Sequence, residues 1–458
     1  MTVRDGVTLF FREAFVAEER DIFIPTTASP GRRRQAGGVF DFHQHPPRPG
    51  DWSVRKKWAR VAFIAHGLLP GYLSTALISE RLREYGREWP GSGEDPGSIR
   101  WFGFPVVGPE PVWVDFYIIP MLAGAFMQAL KKGLAYGYAE AVALAAIAEA
   151  QTDGVPLTIG WGAGTKNATG HGADFLEQHP EFAGVVNSTH GDAGTAQLVL
   201  QMIKAAGVKP GARLAIIGAS GVTGGAISRG VVALKPSSIL LVGHSDDPGQ
   251  TRRRDRLVAL RDEVQQTVGK DTEVVIHQDK AHACLEHRSQ VVVVATTADR
   301  MVLDPQDVPI GALILDMTTP SACRPAPGWN GRMVLTAGCG ELPDAILPEG
   351  FGQLGSRQCN DVGAGGPNVM WGCALETFAR ATCGYQGQIT GHPIPMGELE
   401  WCHNHFAMLG IEPQPPSQFG VPFNWGAVRR FVSDSTISGP TVIHRRGCGK
   451  PGLRAASR

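Results

Sequence analysis

Short apolar runs separated by glycine-rich turns predict an α/β chain whose centre lies near residue 218. The run at residues 214–217 has the length of a buried parallel strand and leads into Gly218-Ala-Ser-Gly221-Val-Thr-Gly224. A helix-like segment follows, and a second apolar run covers residues 239–242. Continuous apolar runs of this length are typical of strands buried on both faces. The pattern therefore predicts the first strand–helix–strand unit of a doubly wound parallel sheet.

Further apolar runs extend this predicted sheet toward residue 340. They cover residues 273–276, 291–295, 312–315 and 333–335. The second of them ends in Thr296 and Thr297, and the third ends in Asp316. Ligands of open α/β sheets bind outside the carboxyl ends of the strands. These polar strand ends are therefore expected to face a cofactor and a substrate.

The pattern on either side predicts a smaller α/β domain before this sheet and helices after it. Strand-like runs at 61–64, 112–117 and 156–160, with helical segments at 123–150 and 193–206, come first, and helices at 368–380 and 396–409 come last. Residues 187–196 are predicted to form a polar turn. The chain is thus divided into an N-terminal extension (1–55), an α/β substrate domain (56–205), a Rossmann domain (206–340) and a C-terminal helical region (341–458), whose tail is expected to be partly disordered.

Composition narrows the class of protein without naming a ligand. The 458 residues allow two or three domains, and 43 basic residues balance 43 acidic ones, which gives no indication of nucleic acid or an anionic membrane as a partner. Eight cysteines without a C-x-x-C pair, and no signal-peptide pattern, indicate reduced thiols and a cytoplasmic location. The longest apolar stretch, 112–130, contains Asp115, Pro120 and Gln128, so we predict a buried segment and no integral membrane segment.

The glycine turn predicts a dinucleotide site, although its Gly-x-x-Gly-x-x-Gly spacing is less common than Gly-x-Gly-x-x-Gly. Gly218 would make the tight turn, Gly221 would let the backbone approach a pyrophosphate, and Gly224 would let the helix pack against the strand. The phosphates would meet the helix N-terminus, which includes Ser220, Val222 and Thr223. The alternative is a tight turn that binds nothing.

The residues after the second strand favour NADPH over NADH. An NAD site usually has Asp or Glu at the end of this strand, where it bonds the ribose 2′-hydroxyl. Here the strand ends in His244 and Ser245, and Arg252 and Arg253 follow shortly after. Guanidinium groups suit a 2′-phosphate. The arginines could instead belong to a solvated helix start, and Asp246 and Asp247 could reach the ribose.

Cys373 is the candidate nucleophile. It follows a glycine loop near the start of a predicted helix, where the helix dipole would favour the thiolate. A thiolate can accept an acyl group, which can then be reduced. An inert buried cysteine is the alternative, and Cys339, between glycines at a strand end, competes for the role. Other candidates are proton donors, a substrate-positioning lysine and oxyanion donors: His66 or His190, Lys166, and Thr296 with Thr297.

Histidine and cysteine groups elsewhere do not predict a metal site. A tetrahedral zinc site needs three or four ligands that share a face. Three groups fail this test on spacing or number: His43 with His45, Cys402 with His403 and His405, and His282 with Cys284 and His287, the last expected on a surface helix.

Several segments point in chain order to one family. They are Phe63-Ile-Ala-His66-Gly-Leu-Leu, Ile119-Pro-Met-Leu122, Gly162-Ala-Gly-Thr165, Thr195-Ala196, the glycine turn and Met370-Trp-Gly-Cys373-Ala-Leu-Glu376. From about residue 59 onward the set resembles the long-chain acyl-[acyl-carrier-protein] reductases, which form fatty aldehydes. The last segment is similar to the helix that carries the family's acyl-accepting cysteine, in Met-Phe-Ala-Cys-Phe-Ala-Glu. Residues 1–55 have no counterpart there, and the linkers at 86–100 and 340–365 are longer.

The resemblance implies an NADPH-dependent reduction of an acyl thioester to an aldehyde through an acyl group on Cys373. The thioester would be carried by acyl carrier protein or coenzyme A, and an aldehyde-consuming enzyme is implied as a partner. Two other interpretations stay open. Proteins of the shikimate dehydrogenase and glutamyl-tRNA reductase type share a two-domain α/β plan, and a dehydrogenase of a small polar carbonyl would not need Cys373. A non-catalytic NADPH-binding protein would bind the cofactor without turnover.

Overall fold

The first part of the chain forms most of a seven-stranded sheet with helices on its faces. The computed structural model describes residues 39–41, 55–67, 98–106, 108–243, 251–277, 280–296, 302–318, 321–343 and 369–435. Six strands of this sheet are β1 (Val39–Asp41), β2 (Ala59–Gly67), β3 (Ser98–Val106), β4 (Val112–Leu122), β5 (Leu157–Trp161) and β6 (Val186–Thr189). The helices of this part are α1 (Ala123–Lys131), α2 (Ala135–Asp153), α3 (Thr165–Ala168), α4 (Ala173–Gln178) and α5 (Asp192–Ala205).

The middle of the chain forms a six-stranded sheet in which every pairing is parallel. Its elements are β7 (Arg213–Ile217), α6 (Val222–Gly230), β8 (Ser238–Val242), α7 (Thr251–Val268), β9 (Glu273–His277), α8 (Lys280–Glu286), β10 (Val291–Val294), β11 (Leu313–Asp316) and β12 (Met333–Thr336). The strand order is β9-β8-β7-β10-β11-β12. The order therefore reverses beside β7, as in a Rossmann sheet, and the crevice at that point is where such sheets bind ligands.

The last part of the chain returns to both sheets. It contains β13 (Cys339–Glu341), β14 (Val369–Trp371), α9 (Gly372–Thr382), β15 (Gln388–Ile389), α10 (Met396–Met408), β16 (Glu412–Pro413), β17 (Ser417–Gln418), β18 (Val421–Pro422) and α11 (Trp425–Asp434). β15 pairs with β6 and completes the first sheet, whose order is β1-β3-β4-β2-β5-β6-β15. All its pairings are parallel except β3 with β4.

Two helices hold the sheets together from the inside. Leu375 and Phe378 of α9 pack with Phe63 and Phe116 of the first sheet. Val199 of α5 belongs to the core of the second sheet, while its neighbour Leu198 lies in the cluster that contains α9. The N-termini of α5 and α9 thus lie in the same region, close to the carboxyl edge of the second sheet.

The predicted fold class is confirmed, and two predicted elements are wrong. Residues 186–189 form β6 and not a polar turn, because β5 and β15 flank this segment and satisfy its backbone. The helix expected at 368–380 begins at Gly372, since Val369–Trp371 pairs with β13. Most of the predicted N-terminal extension (1–38 and 42–54) and the tail at 436–458 lie outside the described residues.

Candidate active site

The glycine turn between β7 and α6 has the close contacts that its sequence predicts. Gly218 has φ +86°, and a Cβ there would clash with the carbonyl oxygen of Ala295. A Cβ at Gly224 would clash with the carbonyl oxygen of Gly218, so α6 packs directly on the turn. Gly221 is exposed, and no side chain caps α6. The first turn of this helix can therefore receive an anion.

Of the other predicted cofactor residues, the structure describes some and not the rest. Ser220 and Thr223 are half-buried in the turn, and Val222 is buried at the start of α6. Thr296 follows β10 with its amide nitrogen 3.2 Å from the position of a Cβ on Gly218. Arg253 is exposed in the first turn of α7. Outside the description are His244, Ser245, Thr297 and the side chain of Arg252.

A buried carboxylate, Asp192, links the glycine turn to the first domain. It is the first residue of α5 and is 1% exposed. Its Oδ1 accepts a hydrogen bond from Thr223 Oγ1 of α6 at 2.6 Å and an ion-pair hydrogen bond from Lys166 Nζ of α3 at 2.6 Å. His171 and His190 lie beside its Oδ2. One side chain therefore contacts groups from the glycine turn and from α3.

Charge partners set the protonation of this pair. Burial, the largest single cause, raises the pKa of Asp192, but the Lys166 ammonium and the two histidines together outweigh it and bring the pKa well below its usual value. Burial is also the largest cause at Lys166 and lowers its pKa, but the negative charges around it, that of Asp192 foremost, together raise the pKa above its usual value. The pair is therefore an ammonium and a carboxylate at neutral pH, as their hydrogen bond requires.

Cys373 lies next to this pair as the second residue of α9. A Cβ on Gly191, which precedes Asp192 in the chain, would come within 2.5 Å of Cys373 Cβ. Gly191 has φ +68°, a backbone conformation that favours glycine, and it has no Cβ that would clash with Cys373. The thiol is half-buried, whereas the competing Cys339 is 3% exposed in β13.

The expected thiolate at Cys373 is wrong for this state of the protein. Burial raises the pKa of the thiol to about 11, and the Lys166 ammonium and the Ala374 amide lower it by less than burial raises it. The helix start acts in the predicted direction but does not outweigh desolvation. Cys373 is therefore a thiol at neutral pH, and its activation would need a base or a bound ligand.

Glu376, one turn after Cys373, fixes α9 against β6 and α5. Its carboxylate is fully buried and accepts hydrogen bonds from Thr189 Oγ1 at 2.7 Å and the Gly194 amide at 2.6 Å. Arg380 Nε donates to the same carboxylate at 2.8 Å. Burial, the largest single cause, raises the pKa of Glu376, but Arg380 and His190 with the hydrogen bonds from Gly194 and Thr189 together outweigh it, and the pKa is lowered. The charge of Glu376 thus helps to hold α9, and with it Cys373, in place.

Several candidates from the sequence turn out to have other roles. His66 accepts the Gly164 amide at Nε2 (3.0 Å) and stacks on Phe126, which explains it as a structural residue. Cys284 of α8 and His287, which directly follows this helix, are both buried and not on a surface helix, and Cys284 packs in the core of the second sheet. His287 bonds Ser238 and Ser289, and burial lowers its pKa to about 4.

The sequence indicates Lys166, His190 and Cys373 as functional candidates but does not single out Asp192. Its pattern predicts a polar turn at residues 187–196, which gives no role to the acid within it. A usable signal was present, because Asp192 stands directly before a predicted helix, where a carboxylate is favoured. The pairing of Asp192 with Lys166, 26 residues away, depends on the parallel arrangement of β5 and β6.

Comparisons with known proteins do not identify the reaction. No family model and no curated protein matches the chain. It is similar to 5-ketofructose reductase of Gluconobacter sp. strain CHM43, with 10% identity over 76% of this chain and 99% of that chain and a TM-score of 0.32. It is also similar to quinate dehydrogenase from Corynebacterium glutamicum in complex with NAD (12% identity, 57% and 80% of the chains, TM-score 0.27). A third structure, AibC, has 14% identity over 47% and 54% of the chains and a TM-score of 0.25.

In the part of the chain that the structure describes, no helix has the length and apolar character needed to cross a bilayer. The apolar stretch at 112–130 forms β4 and most of α1 and contributes core residues such as Val114 and Phe126.

Proposed function

We propose that the chain is a nicotinamide-dependent oxidoreductase that reduces an acyl thioester to an aldehyde through Cys373, with NADPH as cofactor. The observation that carries this proposal is the contact chain from Thr223 through Asp192 and Gly191 to Cys373. It puts a half-buried thiol close to the turn that suits a dinucleotide. The uncapped first turn of α6, with Gly221 exposed, fits the pyrophosphate.

In this reaction the chain's own residues attack, hold and protonate the substrate. Cys373 Sγ would attack the acyl carbon and displace the carrier as its thiol, which takes up the proton of Cys373. NADPH would supply a hydride for the acyl carbon, giving the anion of a thiohemiacetal on Cys373. Lys166 Nζ would stabilise this oxyanion. Collapse of the thiohemiacetal would release the aldehyde and a Cys373 thiolate, which would take up a proton from solvent to restore the thiol.

Intact-protein and peptide mass spectrometry test the covalent step. The protein is mixed with a panel of acyl-carrier and coenzyme A thioesters without NADPH. We expect an acyl adduct on Cys373, no adduct in Cys373→Ser, and an unchanged adduct in the control Cys383→Ser at the distant end of α9. If no thioester of the panel forms an adduct on any cysteine, the covalent mechanism is wrong.

A second candidate is the direct reduction of a small polar carbonyl, and the Lys166–Asp192 pair favours it. An ammonium held by a carboxylate beside the nucleotide turn can polarise a carbonyl oxygen and deliver a proton to the alkoxide. This reaction needs no thiol. Full carbonyl reductase activity in Cys373→Ala, together with its loss in Lys166→Met, would replace the thioester proposal with this one.

A further inference from the structure

Two histidines and the Oδ2 atom of Asp192 bring three potential metal ligands together. One ligand atom from each of His171, His190 and Asp192 lies within 4.8 Å of the other two. Asp192 Oδ2 is 2.9 Å from His190 Nδ1 and 3.3 Å from His171 Nδ1. Zinc–nitrogen and zinc–oxygen bonds of about 2.0–2.2 Å separate the ligand atoms of a tetrahedral site by about 3.3 Å. The cluster therefore has the dimensions of a two-histidine, one-carboxylate cation site.

The two oxygens of Asp192 have different surroundings. Oδ1 is saturated by donors, since Lys166 Nζ and Thr223 Oγ1 both bond it at 2.6 Å. Among the described residues, the buried Oδ2 faces the two imidazole nitrogens, His190 Nδ1 at 2.9 Å and His171 Nδ1 at 3.3 Å. Nitrogen and oxygen ligands of one zinc ion lie at such separations. A cation between these atoms would take the place of the imidazole protons that Oδ2 otherwise needs.

The ligands are also held by separate parts of the backbone. His190 directly follows β6, and Asp192 is the first residue of α5. His171 has φ +58° between Gly170 and Gly172, which carries its ring to the others. The two rings are 5.2 Å apart at 86°. His190 Nδ1 accepts the Asp192 amide at 3.2 Å, a long hydrogen bond that a cation would displace.

We propose that His171, His190 and Asp192 bind one divalent cation of the zinc class. Imidazole nitrogens and a carboxylate oxygen are the donors that Zn²⁺ prefers in sites with three protein ligands. Lys166 and Thr223 then act as the outer donors that orient the ligating carboxylate, as is usual around such sites. The fourth position is left to water or to an oxygen of a ligand. This proposal is independent of the reaction at Cys373.

Cobalt binding to the full chain tests the proposal. The protein is stripped with a chelator and titrated with Co²⁺, whose visible absorption reports the ligands, and Zn²⁺ then displaces it. We expect one Co²⁺ per chain at the cluster and an affinity that falls at least about 100-fold in His171→Asn. Asn is chosen because it tolerates a positive φ. His403→Asn, an exposed histidine outside the cluster, is the matched control and should bind as the wild type does.

Equal affinity and an equal spectrum for the wild type and His171→Asn would overturn the proposal. A second measurement needs no variant. Diethyl pyrocarbonate modifies accessible imidazoles, and the His171 side chain is 19% exposed. Peptide mass spectrometry should show that Co²⁺ protects His171 while His403 is modified as before. Modification of His171 at the same rate with and without Co²⁺ would also overturn the proposal.

Discussion

At the scale of single residues, the site depends on glycines that let two helix starts touch. Gly191 lies on Cys373, and a Cβ on Gly372 would come within 2.6 Å of Thr195 Cα. A Cβ on Gly194 would come within 2.7 Å of Glu376 Cβ. No larger residue fits these three positions without moving a helix. The distance between Cys373 and Asp192 is thus set by the absence of side chains.

Substitution of Gly191 separates the cost of backbone strain from the cost of crowding. Gly184→Ala is the control, since Gly184 has φ +82° with nothing within 4 Å of a Cβ. We expect the control to lower the free energy of unfolding by about 1–2 kcal/mol through strain alone. Gly191→Ala should cost about 1–3 kcal/mol more, because its Cβ also meets Cys373. Urea unfolding measures both, and equal losses would show that α9 moves away without cost.

The pH dependence of alkylation tests the protonation of Cys373. With a thiol pKa of about 11, the rate of iodoacetamide labelling at Cys373 should rise about tenfold per pH unit between pH 7 and 10. Lys166→Met removes a charge that lowers this pKa, so labelling at pH 9 should become slower. Peptide mass spectrometry follows the modified residue. A rate that levels off below pH 8 would show that the thiolate already exists at neutral pH.

At the scale of elements, the sequence predicted the strands of the second sheet to within one or two residues. Runs such as Val291–Val294 are apolar throughout, because helices cover both faces of a parallel sheet. β6 was missed because its residues Asn187, Ser188 and Thr189 are polar, and the partner strands that bury them are distant in the chain. The start of α9 was predicted too early for the same reason, because residues 369–371 pair with β13.

The junction between α5 and α9 should depend on the charge of Glu376. Glu376→Gln leaves Arg380 without its fully buried partner, so we expect a loss of about 3 kcal/mol in the free energy of unfolding. Glu398→Gln removes the outer, more exposed partner of Arg380 and should cost less. The folded pKa of Glu376 is lowered, so its charge stabilises the protein above the unfolded pKa and loses this effect as pH falls toward the folded pKa.

Urea unfolding of these variants between pH 7 and pH 3 is the measurement. The wild type should lose stability over this range faster than Glu376→Gln, whose side chain does not titrate. Parallel pH profiles for the two proteins would contradict the assigned role of the Glu376 charge.

At the scale of the whole molecule, α5 belongs to the cores of both sheets. Val199 and Met202 lie in the core of the second sheet, and Leu198 lies with the first sheet and α9. Part of the site could be predicted from the sequence because the glycine turn and Cys373 are local signals. The Lys166–Asp192 pair could not be predicted, because it arises only when β5 and β6 pair in the first sheet. Because α5 belongs to both cores, the sheets are expected to unfold together.

Calorimetry of Leu198→Ala tests this expectation. The leucine is fully buried, so its truncation should cost about 2–5 kcal/mol and lower the transition temperature in a single step. Ile310→Ala, at a residue that is 51% exposed, is the control and should leave the transition unchanged. Two separated transitions in Leu198→Ala would show that α5 does not couple the sheets.

The pairing of β15 with β6 has a consequence for the order in which the chain is made. Gly387 donates to Asn187 Oδ1 at 2.9 Å across 200 residues of sequence. During synthesis, β6 therefore leaves the ribosome long before the strand that covers its edge. Unpaired strand edges are templates for pairing with other chains. Until β15 (Gln388–Ile389) emerges, the nascent first sheet needs protection, which makes this edge a point where chaperones and translation speed would affect yield.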